Sequence, residues 1–157
     1  MKRGPRCVHH HPVTERLDLV VRSIRATLEG DSSVVADLYT DDVHATMSTS
    51  VWSASGLAVE IEDRAGAFED VAVHVDRWRT VDDELWVEWA ATVFHVGPLA
   101  VEDTVIAPTR RWTELHGMTI AEFRGDRIGG FRQYWDCAAL MGADGGRRPV
   151  RGRLQRG

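Results

Sequence analysis

Apolar residues recur at helical spacing near the start of the chain and at strand spacing in its second half. Leu17, Val20, Val21, Ile24 and Leu28 follow an i, i+3, i+4, i+7, i+11 rule. Such a row predicts a helix over residues 14–29 with one buried stripe. Thr14 is placed to cap it, Glu15 and Asp18 suit the positive end of its dipole, and Gly30 supplies a stop. Asp31 or Ser32 can then cap a short helix carrying Val34, Val35, Leu38 and Tyr39. A third helix is expected over 56–68, weakened by Gly66 within it.

From residue 71 onward β-branched and aromatic residues dominate. Segments 71–81 and 84–96 flank Asp82-Asp83, and segments 112–124 and 127–135 flank Gly125-Asp126, so two hairpins are predicted. Residues 97–111, with Pro98 and Pro108, read as a long loop between them. Helices followed by long antiparallel strands make an α+β domain with helices on one face of a curved sheet. A two-residue turn at Asp82-Asp83 also predicts cross-strand neighbours: Trp78 with Val87, Arg77 with Glu88, Asp76 with Trp89, and His74 with Ala91. Because side chains alternate across a strand, one face would carry His74, Asp76, Trp78, Trp89 and His95. The other would carry Arg77, Arg79, Trp86, Glu88 and Phe94.

Composition narrows the setting. At 157 residues and 43% hydrophobic content, the chain fits one globular domain. No run approaches the ~20 apolar residues a membrane helix needs. The two cysteines, Cys7 and Cys137, cannot make a disulfide framework and suit a reducing cytoplasm. The basic start lacks the apolar segment of a secretory signal. Net charge is −5, but eight of the 19 basic residues lie in the first six and last eleven positions. The body between Cys7 and Gly146 therefore holds 11 basic against 24 acidic residues, a balance of −13. A nucleic-acid partner is not expected of such a body. Residues 1–12 and 143–157 read as flexible tails around a domain at 13–142. The Arg-rich C-terminal tail is a solubilising segment or a weak contact for anionic polymers. His9, His10 and His11 fall in the first tail, and no spacing suggests a zinc site or a phosphate loop, so no metal and no cofactor are expected.

Four short blocks carry a family resemblance: Leu38-Tyr39-Thr40-Asp41-Asp42-Val43, Pro108-Thr109-Arg110-Arg111, Gly125-Asp126-Arg127-Ile128, and Gly130-Phe131-Arg132-Gln133-Tyr134-Trp135-Asp136. Together, over about residues 14–142, the chain resembles the SnoaL-like and limonene-epoxide-hydrolase-like branch of the nuclear transport factor 2-like superfamily. The resemblance implies a conical α+β barrel, with three N-terminal helices on a strongly curved mixed or antiparallel sheet, enclosing an apolar pocket. One or two carboxylates usually perform proton transfer there. In the family's cyclases and epoxide hydrolases a catalytic Asp lies three residues before the Asp that ends the last strand. That position is Gln133 here, which cannot exchange a proton near neutral pH. The hydrolases' Arg and second Asp would fall at Trp89 and Ala91, or at Ala90 and Thr92. Their water-holding Tyr and Asn would fall at Ala45 and Met47. The ketosteroid isomerase base also maps near Met47, and its first-helix Tyr near Ser23.

Several groups could still carry chemistry. His74 and Asp76 would form an acid/base pair if their face lines the pocket, or a solvated strand end otherwise. Arg77 and Glu88 then make a surface pair or, with the faces reversed, a buried one. His95 lies beside the long loop, in a His-Val-Gly context that resembles the His-x-Gly of some SnoaL-like cyclases; that places it at the pocket mouth. The family hairpin would put Leu115, Gly117 and Thr119 inside and His116 outside. Phe131, Gln133 and Trp135 share the face that family geometry turns inward, where Gln133 can orient a ligand carbonyl or hydroxyl. Trp135, Trp89 and Trp52 could stack on a flat or polyene-like ligand, with Met47 and Leu115 as further lining. Asp136 is placed to cap a short terminal helix. The expected activity is a cofactor-independent cyclisation or isomerisation of a hydrophobic polyketide- or terpenoid-like substrate by a homodimer. A non-catalytic ligand-binding or assembly module is the alternative, and an epoxide hydrolase with relocated residues the third reading.

Overall fold

Helix α1 spans Pro12–Glu29 and begins two residues before the expected cap, with Pro12 at the first helical position. In the computed structural model, residues 12–47 and 50–141 are described. Apart from Pro12, the expected tails, with Cys7 and the histidine tract, lie outside the described residues. The predicted α1 stripe faces inward: Val20, Ile24 and Leu28 are fully buried, each worth about 1.5–3 kcal/mol of apolar burial. Gly30 ends the helix with φ +71°, and its α-carbon sits so close to the Ala65 backbone that a β-carbon would lie 2.3 Å from Ala65 N.

A 3₁₀ turn at Ser32–Val34, capped by the Asp31 carboxylate accepting from Ser33 N–H at 3.1 Å, leads into α2 (Val35–Leu38). Tyr39, expected on that helix, instead opens strand β1 (Tyr39–Thr46), where its hydroxyl meets Ser23 Oγ of α1 at 2.5 Å. After β2 (Ser50–Val51), Ser53 caps α3 (Ala54–Glu62) by accepting from Gly56 N–H. The third helix therefore stops well before Phe68. Gly66 lies in the reversal that follows, at φ +79°, a conformation a helix cannot contain.

The long strands follow: β3 (Phe68–Val81), β4 (Glu84–His95), β7 (Trp112–Arg124) and β8 (Arg127–Trp135). The predicted 97–111 loop contains a small hairpin, β5 (Leu99–Val101) and β6 (Thr104–Ile106), turning at Glu102 and Asp103. Helix α4 (Ala138–Met141) closes the described chain, and Asp136 Oδ1 accepts from Ala138 N–H at 2.9 Å just before it. The main sheet runs β2-β1-β8-β7-β4-β3; β1 and β8 are parallel and every other pair is antiparallel, so the sheet is mixed. Among the described residues no helix is long and apolar enough to cross a membrane.

The β3–β4 register begins as predicted, with Trp78 opposite Val87 and Arg77 opposite Glu88. A bulge at Asp76 then shifts it, placing Val75 opposite Trp89 and His74 opposite Ala90. One inserted residue reverses which side chains face inward. Val71, Val73 and Val75 accordingly pack on the core, while His74 and Asp76 turn outward. On β4 the inward set is Leu85, Val87, Trp89, Ala91, Val93 and His95, all buried. Trp89 lies across Gly117 of β7, where a β-carbon would stand 2.3 Å from Trp89 Cζ2, and its indole N–H donates to Thr119 Oγ1 at 3.1 Å.

Candidate functional site

Strand β8 sends Phe131, Gln133 and Trp135 to the inner face, as its alternation requires. Opposite Gln133 in register stands Thr119 of β7, whose hydroxyl is already engaged by Trp89. Gln133 is 2% exposed, and neither its Nε2 nor its Oε1 has a hydrogen-bond partner. Buried carboxamides are normally paired on both sides, so this one is exceptional. It borders a cavity of about 190 Å³, which Met47 after β1, Arg64 after α3, Val101 and Glu102 of the β5–β6 hairpin, and Trp135 also line.

Arg64 enters this cavity because α3 ends at Glu62 and the chain reverses over the next residues. Its residue exposure is 7%, and its Nη1–H donates to the Glu60 carbonyl at 2.7 Å, closing the helix end. Burial pulls the guanidinium below its ordinary pKa, partly offset by the nearby charges of Glu60 and Asp63. No ion pair to Arg64 forms among the described residues. Neither Arg64 nor Glu102 was expected at the site. An unbroken helix to Phe68 would have left Arg64 on a helix flank, and a featureless loop gave Glu102 no position.

The other expected residues separate. Met47 and Trp135 line the cavity, half-buried. Phe131 and Leu115 are buried in the core and do not line it, Phe131 tilted against Tyr39 with ring centroids 5.5 Å apart. Trp89 is fully buried core and absent from the cavity lining, since its ring fills the space over Gly117. Trp52 is 72% exposed and stacks on His44 at 3.6 Å, in a different groove that Arg132 and Glu122 share. It therefore does not join Trp135 at the Gln133 cavity, where stacking on a shared ligand was expected.

His74 and Asp76 do meet, Nε2 to Oδ1 at 3.0 Å, but on the outside of the sheet, where the His74 side chain is 73% exposed. The bulge at Asp76 is the physical reason they miss the pocket. Arg77 and Glu88 form an exposed pair on that side, each raising the preference of the other for its charged form. His116, facing outward as expected, pairs with Glu114 at 2.9 Å.

His95 ends β4 fully buried, beside the Phe68 ring at 5.4 Å. The backbone N–H of Thr109 lies 3.3 Å from its Nδ1, and its Nε2 has no hydrogen-bond partner. Burial lowers its pKa, opposed by the backbone at Gly97. Thr109 belongs to the Pro108-Thr109-Arg110-Arg111 block, in which Arg110 holds φ +54°. His95 is thus buried and, contrary to the expectation of a place at the pocket mouth, is not one of the residues lining the Gln133 cavity. Among the described residues no group of His, Cys, Asp or Glu side chains converges to hold a metal ion.

Known structures share this architecture at low identity. A candidate SnoaL-like polyketide cyclase from Jannaschia sp. CCS1 superposes with TM-score 0.69 at 15% identity, over 90% of this chain and 96% of its own. TsrD from Streptomyces laurentii gives TM-score 0.65 at 16% identity, over 81% and 92%. An epoxide hydrolase of the limonene-epoxide-hydrolase-like type from M. tuberculosis gives 0.56 at 16%, over 83% and 89%. These likenesses establish the fold. No curated protein matches the chain in sequence. The family model for the SnoaL-like polyketide cyclases, however, matches residues 18–143, spanning the helices, the curved sheet and the Gln133 strand alike, and the chain belongs to that family.

Proposed function

We propose that the chain catalyses a cofactor-independent cyclisation or isomerisation of a hydrophobic polyketide-like substrate in the Gln133 cavity. The observation that carries this reading is the Gln133 carboxamide: it is buried, presents a donor and an acceptor, and uses neither within the protein. A ligand carbonyl or hydroxyl can satisfy both, and a site built to hydrogen-bond such a group discriminates strongly for it. Met47, Val101 and Trp135 supply apolar surface around it. Holding a flexible chain in one reactive conformer lowers the entropic part of a ring-closure barrier without any titrating group. Where a proton must move, Glu102 is the carboxylate among the cavity-lining residues, and it takes the place of the acid absent at Gln133. His74 and Asp76, on the outer surface, have no part in this scheme.

The active unit in this reading is a homodimer joined through the outer face of the sheet. That face carries Trp86, Phe94, Trp112, Met118 and Tyr134, more apolar surface than a solvated sheet face needs. A binding module without turnover is the second reading, favoured by the replacement of the family's acid with a group that cannot titrate.

The test is incubation of the purified protein with linear and partly cyclised polyketide intermediates, followed by chromatography and mass spectrometry. Ring closure or isomerisation appears as a new species of unchanged mass, or of mass reduced by water. Gln133→Ala should slow its formation at least about tenfold, whereas His74→Ala should leave it unchanged. Tight binding of the intermediates with no new species would select the binding module, and gain of one water would select hydrolysis.

A further inference from the structure

Arg64 is a largely buried cation that feels the charges of Glu60 and Asp63 but forms an ion pair with neither. A guanidinium has five N–H donors, and among the described residues one of its hydrogen bonds, to the Glu60 carbonyl, is made at the end of α3. That contact accounts for a helix-capping role. It does not account for the absence of an ion pair at a 7% exposed arginine, nor for an adjoining carboxamide with both polar atoms unengaged. A buried charge is normally matched by a partner, because its desolvation is otherwise uncompensated. Here both groups line one cavity, together with apolar surface from Met47, Ala100, Val101 and Trp135 and with Glu102, Tyr134 and Cys137.

We propose that the cavity receives an apolar ligand carrying an anionic oxygen pair, with the Arg64 guanidinium taking the charge and Gln133 Nε2–H donating to the same group. The proposal rests on the reading of this cavity as the substrate site and names the substrate class. Guanidinium geometry favours planar, two-oxygen anions, a carboxylate or the enolate of a 1,3-dicarbonyl, over a single-point charge. Glu102, exposed at the hairpin tip, lines the same cavity, so like-charge repulsion turns the anionic end of a ligand away from it and toward Arg64. Arg64 is therefore a specificity-determining residue: it sets which end of the ligand goes in, and Gln133 fixes the plane in which it lies.

Ligand-observed NMR titration tests this with 3-phenylpropanoate and its neutral isostere 3-phenylpropanamide. The wild-type chain is expected to bind the acid about tenfold more tightly than the amide. Arg64→Met should abolish that preference while the amide affinity stays within about twofold, which also reports that the cavity is intact. Arg64→Lys, keeping charge without the fork, should retain only part of the preference. Titration of 1,3-indanedione above and below its enol ionisation separates the two anion types: tightening on ionisation that requires Arg64 extends the site to enolates, and a preference confined to the acid assigns it to carboxylates. Equal binding of acid and amide by the wild type, or a preference that survives in Arg64→Met, overturns the inference while leaving the cavity reading in place. If neither compound binds, the cavity is not the substrate site, and both readings fall.

Discussion

Replacing Gln133 by Leu should make the protein more stable and less able to bind. The two side chains have similar volumes, although leucine is one bond shorter and branched, and Gln133 sits on the buried face of β8 with Phe131 two residues before it. Leaving a buried polar group without a partner costs about 1–3 kcal/mol. Gln133 has two such atoms, but leucine does not fill all of the space they occupy, which offsets part of the gain. The net gain for Gln133→Leu is then about 1–2 kcal/mol, equivalent to a rise of about 2–8 °C in melting temperature for a chain of this size. Differential scanning calorimetry, with urea denaturation at constant m, measures it directly. The same variant should lose the preference for ligands bearing a polar head. A carboxamide retained only for packing would give the opposite pattern, destabilisation with ligand binding intact. That result would refute the assignment of Gln133 as a group kept unpaired for a ligand.

Two further predictions concern the frame around the site. Gly117→Ala places a β-carbon 2.3 Å from Trp89 Cζ2 and 2.7 Å from the Tyr134 carbonyl oxygen. It should destabilise the domain by about 1–3 kcal/mol in urea unfolding, and a near-neutral result would mean the Trp89 ring can move aside. His95 is held below its ordinary pKa of about 6.5 by burial, so below that pH the unfolded chain binds the proton more readily than the folded one. Its contribution is complete above about pH 6.5 and is lost as pH falls toward the depressed folded value. The wild type should therefore lose more stability than His95→Gln on going from about pH 7 to about pH 5, and parallel curves for the two proteins would contradict the assignment.

Hairpins and the first helix were legible because their signals are local. The predicted bounds of the last two long strands match β7 and β8, and the α1 stripe is the one that packs. In both cases a period in the chain maps directly onto a face. The third helix failed for a reason also present in the chain: Gly66 punctuates the turn after α3, where it was read as a weak point inside a longer helix. The β5–β6 hairpin escaped notice because each of its strands is only three residues long, too short for a period to show.

The chain by itself determined the α+β class and which residues share a face of β8, because these depend on residue type and alternation, and its motifs carried the family resemblance that implied Gln133 inward and the acid missing. Tertiary structure alone decided which polar groups share the cavity. A single bulge at Asp76, invisible to an alternation count, sends His74 and Asp76 outward. The reversal after Glu62 carries Arg64 inward from a segment remote in sequence from Gln133. Which charges meet a buried carboxamide depends on where distant segments turn, and turns are settled by packing against the rest of the fold rather than by the pattern of any one stretch.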